Sequence, residues 1–211
     1  MNYKLRIQCF KVTPFALNDQ LFVTFDQIIP LKDTEEYVIS MADKTQDDIN
    51  SQEETKSRHN VRYEFWRVLL KQINARSILF QKISPTKDNW LQAGSGISGV
   101  NYRFVVTKTF VRAEFNIARS DLAENKFIYD ELLKYRKEVE EIFEGELEWE
   151  RLENIKTSRI KYEKSELSIF EKDDWPDMVA FMIDAMVRLE KALQMPIKEV
   201  NKVFKNRIGS E

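Results

Sequence analysis

The feature that most constrains the fold is a pair of alternating apolar and polar runs, at residues 100–106 and 111–117. If Lys108-Thr109 forms a two-residue turn, Val106 pairs with Val111 and the apolar positions of both runs share one face of the sheet. Because a one-residue slip would move those side chains to the opposite face, the pattern specifies the register. The other predicted cross-strand pairs are Phe104 with Ala113, Tyr102 with Phe115, and Arg103 with Glu114.

Helical and strand segments on both sides of this hairpin predict an α+β fold. Apolar residues recur at helical spacing in residues 58–76, in residues 122–144, and in a segment that starts at Asp174 and is broken at Met195-Pro196. Short strands are predicted at residues 90–91, 147–152, 159–164 and 167–170. We therefore expect an antiparallel sheet packed by two long amphipathic helices plus an N-terminal helix.

The N-terminal part of the chain predicts a separate β-hairpin. Its two strands fall at residues 3–12 and 21–29, and two strands alone are only marginally stable in water. Residues 42–58 are almost wholly polar, which is typical of a linker or a solvated helix. The predicted organisation is a two-stranded unit, a polar linker and an α+β domain, at residues 1–35, 36–57 and 58–211.

The residue counts argue against several classes of protein. The single cysteine, Cys9, cannot form an internal disulfide, and with the single histidine, His59, it cannot complete a structural zinc site. No apolar run approaches the roughly 20 residues of a membrane span, and the first residues lack the apolar core of a signal peptide. We expect a cytoplasmic protein with no membrane segment, metal site, cofactor or self-contained catalytic centre.

Two strings match functional motifs but stand in a different context. Gly94–Gly99 matches G-x-G-x-x-G, yet a strand follows it, which favours a flexible strand connection; a backbone nest for a phosphate is the alternative. Glu124-Asn125-Lys126 matches the Glu-x-Lys of metal-dependent nucleases. Because Asp121 stands three residues before Glu124 at a predicted helix start, a capping role is favoured over a catalytic one.

Charge is distributed unevenly along the chain. Residues 59–119 carry a net charge of +7, whereas residues 120–211 carry −6. The basic segment could face a polyanion, or it could pair with acidic residues such as the Glu138–Glu150 ridge. Basic residues interleaved with aromatic ones on strands suit phosphate contact and base stacking. The candidate nucleic-acid-binding residues are Lys87, Trp90, Arg103, Arg112, Arg119, Arg159 and Lys161.

For two of these candidates the sequence leaves a structural alternative open. Arg103 could pair with Glu114 across the hairpin, and Trp90 could be a core residue. A neutralised pair would leave less positive charge for a polyanion.

Several spaced strings also resemble a known family. They are Arg62-Tyr63-Glu64-Phe65-Trp66, Ser84-Pro85-Thr86-Lys87-Asp88-Asn89-Trp90-Leu91, Gly96-Ile97-Ser98-Gly99, Glu124-Asn125-Lys126, Leu147-Glu148-Trp149-Glu150-Arg151-Leu152, Ser158-Arg159-Ile160-Lys161-Tyr162 and Asp174-Trp175-Pro176. Through them, residues 59–195 resemble the bacterial family called domain of unknown function 4268, whose activity is not established. Two N-terminal strings, Lys11–Phe15 and Asp26–Leu31, resemble the tail of the PD-(D/E)XK nuclease-like domain that often precedes that family's domain.

The resemblance implies a nucleic-acid setting, such as bacterial DNA processing or defence. It does not imply that this chain cuts, because the region that would carry the nuclease's Asp and Glu-x-Lys is missing. The first hypothesis is therefore a non-catalytic accessory domain that contacts DNA or another nucleic acid. The second is a protein interaction or oligomerisation module, since open strand edges can add to a partner protein or a second copy. The third is a metal-dependent nuclease with an unrecognised site, for instance one that uses Asp121 and Glu124.

Overall fold

A computed structural model of the chain describes residues 9–17, 20–29 and 56–208. The chain divides into two compact units, Met1–Thr55 and Lys56–Glu211. No helix within the described residues is long and apolar enough to cross a membrane.

The first unit contains a two-stranded antiparallel sheet, formed by β1 (Cys9–Leu17) and β2 (Gln20–Ile29). The strands pair along their length, with Val12 opposite Phe25. The predicted N-terminal hairpin is therefore confirmed, but its first strand does not end at residue 12 and continues to Leu17. Residues 36–55 of the predicted linker lie outside the described residues.

The second unit is a mixed α/β domain built on a five-stranded antiparallel sheet, which confirms the predicted α+β class. The strands lie in the order β3-β4-β5-β7-β6, so the central hairpin of β4 and β5 is extended by β3 on one side and by β7 and β6 on the other. The strands are β3 (Trp90–Gly94), β4 (Val100–Val106), β5 (Phe110–Ile117), β6 (Glu148–Glu150) and β7 (Ser158–Ser165).

The register of the central hairpin is the one that the alternating pattern predicts. Val106 pairs with Val111, and the other predicted partners are paired in step. Thr107 stabilises the turn, because its amide donates to the Phe110 carbonyl at 2.9 Å and its hydroxyl accepts from the Phe110 amide at 2.9 Å. This support explains why Lys-Thr, a poor turn pair by itself, can close a tight hairpin.

Helices complete the second unit and cover the apolar face of its sheet. They are α1 (residues 56–73), α2 (Leu122–Leu133), α3 (Arg136–Phe143) and α4 (Trp175–Ile208). Helix α4 packs against β4 and β5, α2 packs against β5 and β7, and α3 packs against α4. Helix α1 joins the same core through Phe65, whose ring meets the Trp175 ring edge-on at 5.3 Å.

The helix predicted over residues 122–144 is in fact two helices. The Tyr135 amide donates to the Leu132 carbonyl at 2.9 Å, three residues back instead of four, and this tighter turn ends α2. Helix α2 then contacts both the sheet and α4, whereas α3 packs mainly against α4.

The predicted break at Met195-Pro196 is wrong, because α4 continues through it to Ile208. Pro196 has no N–H to donate to the Ala192 carbonyl, and a proline inside a helix costs about 3 kcal/mol. Burial of each large apolar side chain stabilises the fold by roughly 1.5–3 kcal/mol, which offsets that cost. The buried stripe runs along both sides of the proline, through Leu193, Ile197, Val200 and Phe204.

The segment before α4 also differs from the prediction. Residues 167–170, predicted as a strand, form a turn. Side chains satisfy part of their backbone, since the Ser168 amide donates to the Asp174 carboxylate and the Trp175 indole donates to the Ile169 carbonyl, each at 2.8 Å. The Ile169 amide donates to the Thr107 carbonyl at 3.0 Å. With these hydrogen bonds in place, the segment does not need a strand partner.

Candidate functional site

The face of the sheet opposite the core carries charged side chains on β4, β5, β6 and β7. Alternation along each strand puts them there. They form an ion-pair ladder of four cations and four carboxylates, so its formal charges balance. Its members are Arg103, Arg112, Glu114, Glu148, Glu150, Arg159, Lys161 and Glu163.

Glu114 is the centre of the ion-pair ladder and is only 2% exposed. Its Oε1 lies 3.6 Å from Arg103 Nη1, and its Oε2 lies 3.1 Å from Arg112 Nη1. Arg112 Nη2 also lies 2.6 Å from Glu163 Oε2. A carboxylate this deeply buried depends on such partners, because an unpaired charge would be costly there.

Lys161 gathers three carboxylates near the β6 edge of the sheet. Its Nζ lies 3.0 Å from Glu148, 3.2 Å from Glu150 and 3.7 Å from Glu163. Burial alone would lower the pKa of Lys161, but its hydrogen bonds to Glu148 and Glu150 raise it above the ordinary value. Burial would likewise raise the pKa of Glu150, but hydrogen bonds from Arg159 and Lys161 hold it below the ordinary value.

The lowered pKa of Glu150 predicts a pH-dependent contribution to stability. A depressed carboxyl pKa stabilises the fold above the unfolded-state pKa of about 4.3, and this stabilisation is lost as the pH falls through the lower folded-state value. We expect Glu150→Gln to lower the free energy of unfolding by about 1 kcal/mol at neutral pH. The difference from wild type should shrink below about pH 4 in urea denaturation.

Glu146→Gln is the matched control for this measurement, because Glu146 is exposed and lies outside the ion-pair ladder. Its difference from wild type should stay small at every pH. A Glu150→Gln difference that grew on acidification would contradict the assigned role of Arg159 and Lys161.

The structure brings together four of the seven predicted nucleic-acid-binding residues and pairs each with carboxylates. Arg103 pairs with Glu114, as the structural alternative in the sequence predicts. Its guanidinium also lies 5.1 Å from the centre of the half-buried Trp90 ring. Part of the acidic ridge takes part as well, since Glu148 and Glu150 pair with Lys161. This part of the sheet therefore carries little net positive charge that could attract a polyanion.

The two remaining predicted residues, Arg119 and Lys87, do not join the ion-pair ladder. Arg119 Nε lies 2.8 Å from Glu124 Oε2, and its guanidinium lies 4.8 Å from the centre of the Phe204 ring. Arg119 and Phe204 line a cavity of about 410 Å³ together with Lys205. Lys87 is exposed on the segment between α1 and β3.

Asp121 and Asn125, beside and within the Glu-x-Lys string, make structural contacts. Asp121 caps α2 as predicted, since its carboxylate accepts the Glu124 amide at 2.9 Å. Asn125 is buried, and its side chain bonds the Arg119 backbone and the Lys156 carbonyl. Both residues therefore hold the backbone of neighbouring segments in place.

Lys126 is buried and holds the irregular segment between β6 and β7. Its Nζ lies within hydrogen-bond distance of five oxygens, which share its three N–H donors: the carbonyls of Arg151 (2.6 Å), Leu152 (2.9 Å), Ile155 (2.8 Å) and Thr157 (2.9 Å), and the Ser158 hydroxyl (3.0 Å). The Lys126 ammonium therefore has a structural role, because it holds together the backbone carbonyls of this segment. In the part of the chain that the structure describes, no three His, Cys, Asp or Glu side chains are placed to hold a metal ion.

A second charged surface, which the sequence analysis did not single out, lies on α1. An exposed stripe repeats every three or four residues and consists of Lys56, Asn60, Tyr63, Arg67 and Lys71. Glu64 beside it is paired with Lys172 at 3.0 Å, and no carboxylate of residues 56–208 forms an ion pair with the three cations of this α1 stripe. Helical periodicity, applied to cations instead of apolar residues, is the signal that would have found it.

Comparison with known proteins agrees with the resemblance found in the sequence. The sequence model of the family described as Domain of unknown function (DUF4268) matches residues 61–197, from α1 into α4. The match includes the whole five-stranded sheet. No curated protein and no solved structure is significantly similar to the chain.

Proposed function

The chain belongs to the DUF4268 family, whose description carries no activity, and we propose that it is a non-catalytic accessory domain that binds nucleic acid through α1. The observation that supports this proposal is the α1 stripe. Three cations and an exposed aromatic ring share one side of a helix, without neutralising partners among the described residues. Phosphate oxygens would be the partners of the cations, and a base could stack on the ring.

The dimensions of the α1 stripe suit an extended polyanion. From Lys56 to Lys71 the stripe is about 22 Å long, since a helix rises 1.5 Å per residue. Tyr63 is 41% exposed, which leaves its ring accessible for stacking. Asn60, between the first cation and the ring, adds a hydrogen-bonding side chain that can reach sugar or phosphate oxygens.

The balanced charges of the ion-pair ladder favour α1 over the sheet as the binding surface. Arg103 and Arg112 would have to leave buried Glu114 unpaired in order to contact phosphate. Breaking a buried ion pair costs about 3–5 kcal/mol, more than one phosphate contact returns. Among the predicted residues, exposed Lys87 keeps a direct role in this proposal.

The proposed setting is bacterial DNA processing or defence in the cytoplasm. The support for it is the resemblance of Lys11–Phe15 and Asp26–Leu31 to the tail of a nuclease-like domain. In such a setting the domain would hold nucleic acid for a separate catalytic unit.

Substitution of two cations in the α1 stripe tests the proposal. The double variant Arg67→Ala/Lys71→Ala should bind single-stranded or duplex DNA about tenfold or more weakly, because two phosphate contacts are lost. The slope of log affinity against log salt should fall by about 2 between roughly 50 and 200 mM salt. Fluorescence anisotropy with labelled DNA and RNA of both forms gives the affinity and the slope.

The matched control is Lys134→Ala/Lys202→Ala, which removes the same charge from two lysines that already pair with Glu131 and Glu199. It should keep most of the wild-type affinity. Absence of binding at low salt, or an equal loss in the control, would refute the proposal.

A second candidate function, an interaction module, is favoured by the N-terminal hairpin. Val12 and Val23 are 53% and 45% exposed on its two strands. Exposed apolar strand residues are typical of a sheet that receives a partner strand. Sedimentation of the same preparations distinguishes this role, since self-association would persist in the α1 double variant.

A further inference from the structure

A cavity of about 540 Å³ lies where the end of α1, the end of β3 and the middle of α4 meet. Its volume falls within the range of small-molecule sites, about 300–1,000 Å³. The segments that line it are residues 76–79, Gly94-Ser95 and parts of α4 between Val187 and Lys198. The ion-pair ladder and the α1 stripe contribute no residue to its walls.

Tyr102 supplies a hydrogen-bond donor to this cavity. Its side chain is 4% exposed, and its hydroxyl has no hydrogen-bond partner among the described residues. Burial, and then the nearby Glu190 carboxylate, raise the pKa of Tyr102 well above its ordinary value. The hydroxyl therefore keeps its proton and is available to donate a hydrogen bond to a molecule in the cavity.

Glu190 supplies an acceptor in the same cavity. Its Oε2 accepts a hydrogen bond from the Ser77 hydroxyl at 2.6 Å, which fixes the carboxylate. Its Oε1 accepts no hydrogen bond from any described residue. The cavity thus presents a donor, at Tyr102, and an acceptor, at Glu190, to a bound molecule.

The walls and the mouth of the cavity differ in character. Ile78, Leu79 and Ile197 provide apolar wall surface for a flat or hydrophobic group. Arg76, Lys191 and Lys198 are exposed at the lining and have no ion-pair partner within residues 56–208. Three cations against the single carboxylate of Glu190 favour an anionic ligand.

We propose that this cavity binds a single nucleotide. The base would lie between the apolar walls, with the donor and acceptor atoms of its Watson–Crick edge on Glu190 and Tyr102, as proteins read a base outside a helix stack. The phosphate would lie against Lys191 and Lys198. The nucleotide is either free or the end of a strand, and the site is independent of binding through α1.

The test measures binding of the four nucleoside 5′-monophosphates to the full chain by isothermal titration calorimetry. Tyr102→Phe removes the hydroxyl and keeps the ring, which packs edge-on against Phe115. It should weaken the preferred nucleotide about tenfold, as the loss of one buried hydrogen bond does. The corresponding nucleoside, which lacks the phosphate, should be weakened by the same factor.

Lys198→Ala tests the phosphate end of the site. It should weaken the nucleotide up to about fivefold and leave the nucleoside unchanged. Lys202→Ala, one turn further along α4 and paired with Glu199, is the matched control and should leave both unchanged. Thermal unfolding of each variant shows that it is folded before binding is measured.

Short single strands that end in the preferred nucleotide separate the two sources of ligand. If the strands bind and the free nucleotides do not, and Tyr102→Phe weakens the strands about tenfold, the ligand is a strand end. Binding that is unaffected by Tyr102→Phe, or no binding of either probe, overturns the inference. The Arg67→Ala/Lys71→Ala variant should bind free nucleotide as wild type does, so that failure at α1 and failure at the cavity are distinguishable.

Discussion

Lys126→Met is expected to lower the free energy of unfolding by about 4 kcal/mol. Methionine fills a similar volume but donates no hydrogen bond. The five oxygens that Lys126 holds between Arg151 and Ser158 would lose their shared donor. Leaving buried polar groups unsatisfied costs about 1–3 kcal/mol for each group, and water can reach only some of them.

Urea denaturation of Lys126→Met beside Lys156→Met provides the measurement. Lys156 belongs to the same irregular segment, but its side chain is exposed. Its substitution should therefore change stability by no more than about 0.5 kcal/mol. Equal effects of the two substitutions would show that Lys126 does not organise the segment.

Glu114→Leu is expected to lower the free energy of unfolding by about 3 kcal/mol. The substitution leaves the buried Arg112 guanidinium with Glu163 alone and removes the cross-strand partner of Arg103. The cost comes from an incompletely paired buried charge. Addition of Arg112→Met to this variant should therefore recover part of the loss, even though it removes one more native side chain.

Double-mutant analysis by thermal or urea unfolding measures this recovery. Glu148→Ala serves as the control, because Glu148 is 61% exposed at the edge of the ion-pair ladder and its loss should cost under about 1 kcal/mol. A double variant that is less stable than Glu114→Leu by the full cost of a second buried substitution would contradict the electrostatic explanation.

The hairpin of β4 and β5 was predictable because the alternation of apolar and polar residues along each strand specifies its register. Each apolar residue of 100–106 and 111–117 has one partner that buries it, so the sequence alone identifies the pairs. The continuation of α4 through Pro196 was not predictable in the same way. A local rule ends the helix there, and only the tertiary burial of residues such as Ile197 and Phe204 overrides it.

The pairing in the ion-pair ladder also could not be predicted from local sequence patterns. Alternation places Arg103 and Arg112 on one face of the sheet, but their neutralisation depends on which strands become neighbours. Glu163 reaches Arg112 because β7 lies beside β5, and the strand order β5-β7-β6 is not encoded in any local pattern. The cavity beside Tyr102 could not be predicted from the sequence either, since its contacting residues Ser77 and Glu190 are 113 residues apart.

The proline in α4 precedes residues that line two cavities of the domain. Ile197 and Lys198 line the larger cavity, and Phe204 and Lys205 line the smaller one, and all four residues follow Pro196. The missing amide at Pro196 makes this the point where the helix bends most easily. Any bend of α4 at Pro196 would therefore move these four residues together and would change the widths of both cavities at once.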